Sequence, residues 1–204
     1  MYRQQSLITL DQFYEIKPLT KLESILSFID YSLFEEVFPY DSHKRGPKGY
    51  SKKQLFNTLI AMQIEQLSDI KALVMRLKSD PVLRRSLCYD YIENTPSAAT
   101  LNRFITLLSG TDILGRTFRR MVCKARKLGL IDGTNVAIDA SKLTSYEHAV
   151  PKSKIPIDDP TFPNWGGKLD TNGNFIKWFG WIMHALVDTY SGLPISYIIT
   201  PANI

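Results

Sequence analysis

The sequence predicts an α + α/β chain: a helical N-terminal domain over residues 1–130, then the first three strands of an incomplete α/β domain over residues 131–204. Three observations carry this. Apolar residues recur at helical spacing, interrupted by capping residues, as far as Gly129. The period changes to strict alternation at Val136. Residues 175–187 and 193–200 then concentrate aromatic and β-branched side chains on either side of a Gly-containing loop, 188–192, as a hairpin requires.

In the first domain, Leu22, Ile25, Leu26 and Ile29, then Leu33, Phe34 and Val37, keep helical spacing up to Pro39. Residues 43–50 read as a basic loop broken by Gly and Pro. Ser51 with Gln54 forms a capping box, which opens a helix on Leu55, Phe56, Leu59, Ile60, Ile64 and Leu67. Ser68 and Asp69 restart the chain on Ile70, Leu73, Val74 and Leu77. Asp80 then Pro81 begin a short third helix, with Pro where any helix leaves its N–H without a partner. Thr95, Pro96 and Ser97 precede a helix with Leu101, Phe104, Ile105 and Leu108 on one face and Arg103 on another. Asp112 stands where it can cap the last helix. Ile113, Leu114, Phe118, Met121, Val122 and Leu128 are expected inward, with Gly129 as the left-handed residue beyond its end. Five or six helical segments result.

In the second domain, Val136 and Ile138 share one strand face, and Ala137 and Asp139 the other. Residues 144–169 carry prolines at 151, 156, 160 and 163 and are expected to form a long irregular loop; residues 170–173 read as a turn. An unfinished sheet leaves an edge and an apolar face open, with Trp178, Trp181 and Ile198 uncovered. Residues 131–204 are therefore expected to be the less stable part, and proteolysis to leave a core near 45–130.

Composition narrows the function classes. The apolar fraction of 44% suits a packed soluble domain. No apolar run approaches the roughly 20 residues of a membrane span. The first residues form no apolar leader, and Cys88 and Cys123 stand apart, so a cytoplasmic location is expected. His43, His148 and His184 lack zinc-site spacing, and no glycine-rich phosphate loop or nucleophile elbow is present. The net charge of +5 is unevenly spread: −4 over residues 1–42, +11 over 43–130 and −2 over 131–204. A basic helical middle fits a polyanion-binding module; it also fits helix faces that are simply solvated. The DNA-binding candidates are Lys44, Arg45, Lys48, Lys52 and Lys53 around one helix N-terminus, with Arg84, Arg85, Arg103, Arg119 and Arg120 on other helix turns.

Asp139 is the candidate for chemistry. Asp is depleted inside strands because its carboxylate wants water or a partner. Among Val, Ala and Ile, a divalent metal is one such partner. A turn cap through Ser141 or Lys142 is the other. A strand-borne Asp ahead of a hairpin is how a metal-dependent nuclease core begins. Such a core needs further carboxylates, and no good candidate follows before Ile204.

Ordered motifs then carry a resemblance. Residues 50–55 (YSKKQL), 66–70 (QLSDI), 84–87 (RRSL) and 95–104 (TPSAATLNRF) resemble, in that order, the N-terminal domain of IS5/IS4-type insertion-sequence transposases of the DDE superfamily. Residues 129–133 (GLIDG) with 136–141 (VAIDAS) resemble the strand bearing that family's first catalytic Asp, and 187–194 (VDTYSGLP) through 204 resemble the following hairpin. The resemblance implies an RNase H-like catalytic domain in which two Asp and one Glu hold a pair of Mg²⁺ ions for cutting and joining DNA. By motif position Asp139 is the first of these, both catalytic residue and metal ligand. The other two are expected beyond residue 204, so the chain is expected to be a truncated transposase, inactive alone unless a downstream frame supplies them. Its implied partners are DNA, at element ends and target, and a second copy or full-length transposase. The alternative is a non-enzymatic DNA-binding protein that occupies element ends and inhibits intact transposase. Asp188 falls in the hairpin loop and is not assigned to the metal. Ile182 stands where the family pattern Gly-Tyr-Lys-x-His, read against Gly180–His184, has Lys.

Overall fold

The computed structural model describes residues 8–39, 49–90, 94–145, 148–156 and 159–203. It divides into two compact units, Met1–Thr117 and Phe118–Ile204, so the last helix contributes to both. Among the described residues, eight α-helices occur rather than five or six: α1 (Leu10–Ile16), α2 (Lys21–Ser27), α3 (Ser32–Val37), α4 (Lys52–Ile64), α5 (Ile70–Ser79), α6 (Pro81–Ser86), α7 (Ala98–Ser109) and α8 (Ile113–Lys127). The difference lies in the first segment, where α1 to α3 are each only six or seven residues long. Two of these open on capping boxes, Thr9 with Gln12 and Thr20 with Glu23, which the apolar spacing alone conceals.

The later helices begin where the capping residues place them. Ser51 and Gln54 form a reciprocal box at α4. Asp69 accepts from the Ala72 amide, Asp80 from the Val82 and Leu83 amides, and Ser97 from the Thr100 amide. Each such cap satisfies a helix N–H that would otherwise lack a partner and contributes about 1 kcal/mol. Leu33, Leu73, Leu77, Leu87, Leu101 and Ile113 are fully buried in the helical unit. Two buried polar side chains on α4 are paired rather than orphaned: Asn57 Oδ1 accepts from the Tyr31 hydroxyl at 2.7 Å, and the Thr58 and Tyr89 hydroxyls share a bond at 2.8 Å.

Three helix ends close with a left-handed residue. Gly129 does so at φ 70° after α8, as its position predicts. Gln66 (φ 53°) and Cys88 (φ 61°) do the same after α4 and α6 without being glycine. In each case the next amide reaches back to a carbonyl of the last turn: Leu67 to Met62 at 3.0 Å, Tyr89 to Arg84 at 2.9 Å, Leu130 to Ala125 at 2.9 Å. Not every inward residue holds: Leu114, Met121 and Leu128 on α8 are exposed, while Ile113 and Val122 are buried.

The second unit is an antiparallel sheet of β1 (Val136–Thr144), β2 (Asn164–Leu169), β3 (Phe175–Asp188) and β4 (Pro194–Pro201), with a 3-10 turn at Lys152–Lys154. β3 pairs with all three others. β1 runs along Gly180–Asp188 of β3; β2 and β4 take successive stretches, Phe175–Gly180 and Trp181–Val187. β2 corrects the expectation of an irregular loop through residue 169. No proline falls within residues 164–169, and two glycines let neighbouring rings lie directly on the backbone: a Cβ on Gly166 would meet the Trp178 ring at 2.6 Å, and one on Gly167 the Phe175 ring at 2.3 Å. Trp178 is thereby buried, against the expectation that it lay uncovered, whereas Ile138 and Ile198 are 77% and 63% exposed. Gly180 has φ 155°, and a Cβ there would sit 2.0 Å from the Leu143 carbonyl oxygen, so only glycine admits β1 this closely.

Asp188 locks the β3–β4 corner. It is buried, and its carboxylate accepts from the Ser191 hydroxyl (2.7 Å), the Ser191 amide (2.8 Å) and the Gly133 amide (2.9 Å). These bonds, that of the Ser191 hydroxyl foremost, hold its pKa below the ordinary carboxylate range.

Two stability predictions follow from these geometries. A non-glycine residue in the left-handed region is strained by about 1 kcal/mol, so Gln66→Gly should raise the urea unfolding midpoint, and Gln66→Ala should not. Glu23 joins α2 to its neighbours, accepting from Lys17 Nζ at 2.7 Å, Ser86 Oγ at 2.7 Å and the Thr20 amide at 2.9 Å. Burial opposes its ionisation, but these bonds pull its pKa from 4.5 down to about 2. The stability it contributes is therefore present above pH 4.5 and is lost as the pH falls towards 2. Denaturant curves should show Glu23→Gln less stable than wild type at pH 6, by about 1 kcal/mol after solvent screening, and this gap should close on acidification. A gap independent of pH would contradict the assignment.

Candidate nucleic-acid interface and carboxylate strand

The basic candidates separate by what their side chains touch. Lys44, Arg45 and Lys48 lie outside the described residues. Lys52 and Lys53 are exposed in the first turn of α4, with Lys53 Nζ 4.1 Å from the centre of the Tyr31 ring and Lys52 Nζ 5.9 Å from that of Phe104. An ammonium over a ring face keeps its charge in water while its stem covers apolar surface. Both cations stand where the helix already exposes N–H groups and the positive end of its dipole.

Arg84 does something else. Its Nε donates to the Leu77 carbonyl at 2.7 Å, and a terminal nitrogen donates to the Lys78 carbonyl. These are the last carbonyls of α5, so Arg84 closes that helix from within the fold. Arg85 lies over the Tyr14 ring at 5.6 Å, and Arg103 Nε turns back to the Ala99 carbonyl at 3.3 Å. Arg119 and Arg120 are exposed on α8. Beyond these two candidates, α8 stays basic through Lys124, Arg126 and Lys127, and residues 113–127 contain no Asp or Glu. The available signal was the fourfold spacing of Arg120 and Lys124 with Lys127 one turn on.

Asp139 sits at the middle of β1, opposite Ala185 of β3, which in turn faces Tyr197 of β4. Phe118 of α8 meets Tyr197 edge to face at 5.0 Å, which sets α8 on that side of the sheet. The Asp139 carboxylate is exposed and accepts from the amide of its own neighbour, Ala140, at 2.8 Å. Among the described residues, no group of three or more His, Cys, Asp or Glu is gathered closely enough to hold a metal ion. Asp188 belongs to the hairpin corner and is committed to three donors there. The described residues therefore show no carboxylate set that fits a pair of Mg²⁺ ions.

Position 182 is on the opposite face from Asp139, since Asp139 pairs with Ala185 and Lys142 pairs with Ile182. Its cross-strand neighbour Lys142 lies on the same face as Ile182. His184, two residues along, shares a bond with the Thr200 hydroxyl at 3.2 Å.

Comparison with known proteins adds one match. No curated protein and no solved structure matches the chain. No helix among the described residues is long and apolar enough to cross a membrane. Residues 9–107, just under half of the chain, match the family model described as Transposase domain (DUF772). The match falls within the helical unit, and it supports a transposase family, with a transposition-related function that involves DNA.

Proposed function

We propose that the chain is a DNA-binding component of DDE-type insertion-sequence transposition, whose helical unit binds element ends and whose sheet is the opening part of an RNase H-like catalytic domain. The observation that carries it is the coincidence of the transposase-domain match with the helical unit that presents Lys52 and Lys53 at the start of α4. An antiparallel sheet with a single Asp in its first strand is compatible with the start of an RNase H-like core. Cutting and joining DNA would need Mg²⁺ held by carboxylates besides Asp139, so the described residues act by binding rather than by phosphoryl transfer. A second copy or a full-length transposase is the partner this reading calls for. A protein that occupies element ends without cutting them would exclude the intact enzyme, which is the inhibitory form of the same activity.

Fluorescence anisotropy with a labelled duplex, across a range of salt concentrations, tests the binding part. Several phosphate contacts give a steep fall of log K with log salt, about 0.9 per contact. Lys52→Gln with Lys53→Gln should make the slope shallower by about 2. Arg84→Gln should leave the slope as it is while costing about 1–2 kcal/mol of stability, because it strips two helix-end carbonyls of their donor. A flat slope for the wild-type chain would end the DNA reading. Incubation with duplex and Mg²⁺ or Mn²⁺ should give no strand cleavage; specific nicking abolished by Asp139→Ala would show that the chain is a nuclease in its own right.

A further inference from the structure

We infer that the cavity between the end of α5 and the start of α7 is a binding site for the phosphate group of a phosphate ester. The source of that phosphate, a duplex backbone, rests on the DNA reading above; the chemistry of the cavity does not. The cavity lies within the helical unit and measures about 610 Å³. Its polar lining is Lys78, Arg84, Asn94, Thr95 and Ser97, and Val74 contributes apolar surface. A volume of this size takes a phosphate together with the sugar attached to it.

The charge of the wall has one sign. Among the described residues the lining holds two cations and no carboxylate. The nearest acid along the chain, Asp80, is engaged elsewhere: it accepts from the Val82 and Leu83 amides at 2.8 and 3.0 Å and meets Arg76 at 3.0 Å. The two cations do different things. Arg84 donates to the Leu77 and Lys78 carbonyls, so it serves the end of α5 and frames the cavity. Those carbonyls are thus satisfied without the Lys78 ammonium.

Among the described residues, the Lys78 ammonium, the Asn94 side-chain amide and the Thr95 hydroxyl have no partner. Asn94 is nonetheless held in place, because its backbone carbonyl accepts from the Tyr50 hydroxyl. Water can satisfy each of these donors singly, but it leaves the lysine charge unopposed in a concave wall, where the field is concentrated. A phosphate supplies an oxygen to each donor and an opposite charge to Lys78, and such charge-assisted bonds are the strong ones. A backbone phosphate held in this way adds affinity without reading sequence.

Amide chemical shifts of the full isotope-labelled chain, titrated with a duplex of arbitrary sequence and separately with thymidine 5′-monophosphate, test this. The amides of Lys78, Thr95 and Ala98 should move and saturate. Thr95→Val, which keeps the shape and removes the hydroxyl, should weaken binding of the mononucleotide by about tenfold. Lys78→Gln should abolish the shifts and make the slope of log K against log salt for the duplex shallower by about 1. Lys78→Arg should restore both, which separates a lost contact from lost folding. Lys21→Gln, which removes an exposed cation of α2 outside the cavity, should leave the Thr95 and Ala98 shifts as they are. Shifts with the duplex place a backbone phosphate in the site; shifts with the mononucleotide alone keep the site and assign it to a free nucleotide. No movement of these amides with either probe overturns the site, and duplex binding with a steep salt slope survives that result. A flat wild-type slope ends the DNA reading, and the mononucleotide titration then decides the cavity by itself.

Discussion

Everything in the second unit depends on β3 being hydrogen-bonded to each of the other strands. A strand alternates its side chains between two faces, so once β1 is registered against Gly180–Asp188, the face of every residue in β1 and β4 is fixed. That one constraint groups Asp139 with Ala185 and Tyr197 and sets Lys142 beside Ile182. The register itself is pinned at both ends. At one end Gly180 lets β1 pass where any side chain would collide, and at the other Asp188 ties Gly133 to the hairpin corner. A slip by one residue would break both and turn Asp139 to the other face.

The same logic sorts the positive charges. Read along the chain, Arg84, Lys53 and Arg120 are equivalent basic residues in helices. In the fold they are not. Arg84 supplies donors to the end of α5 and is part of what holds the helical unit together. Lys53 rests over a ring with its charge in water, and Arg120 is exposed on α8. A count of cations predicts affinity for a polyanion, but which of them are available is a property of packing.

Much of the fold was legible. Ser51, Asp69, Asp80, Ser97 and Gly129 mark helix ends through local chemistry, and each acts where its sequence neighbours say it should. Strands β1, β3 and β4 were visible from alternation and β-branched content. β2 was not, because Asn164–Leu169 contains two glycines and no β-branched residue; it is a strand because the rings of Phe175 and Trp178 cover those glycines from the neighbouring strand. The left-handed ends at Gln66 and Cys88 were hidden for a related reason, since neither is the glycine that usually signals them. Of the candidate site, Asp139 and its strand were legible, while the neighbours on its face depended on register.

What the sequence determined by itself is local: the helix starts, the change of period at Val136, the surplus of charge over residues 43–130 and the carboxylate of Asp139 within its strand. Each follows from interactions among residues a few positions apart, where chain connectivity fixes the geometry. The tertiary structure decided which residues are brought together across long separations, namely Gly133 with Asp188, Thr58 with Tyr89, and Asp139 with Ala185. Those pairings depend on how whole elements bury their apolar faces, which is a sum over many weak contacts and is not written in any single stretch of the chain.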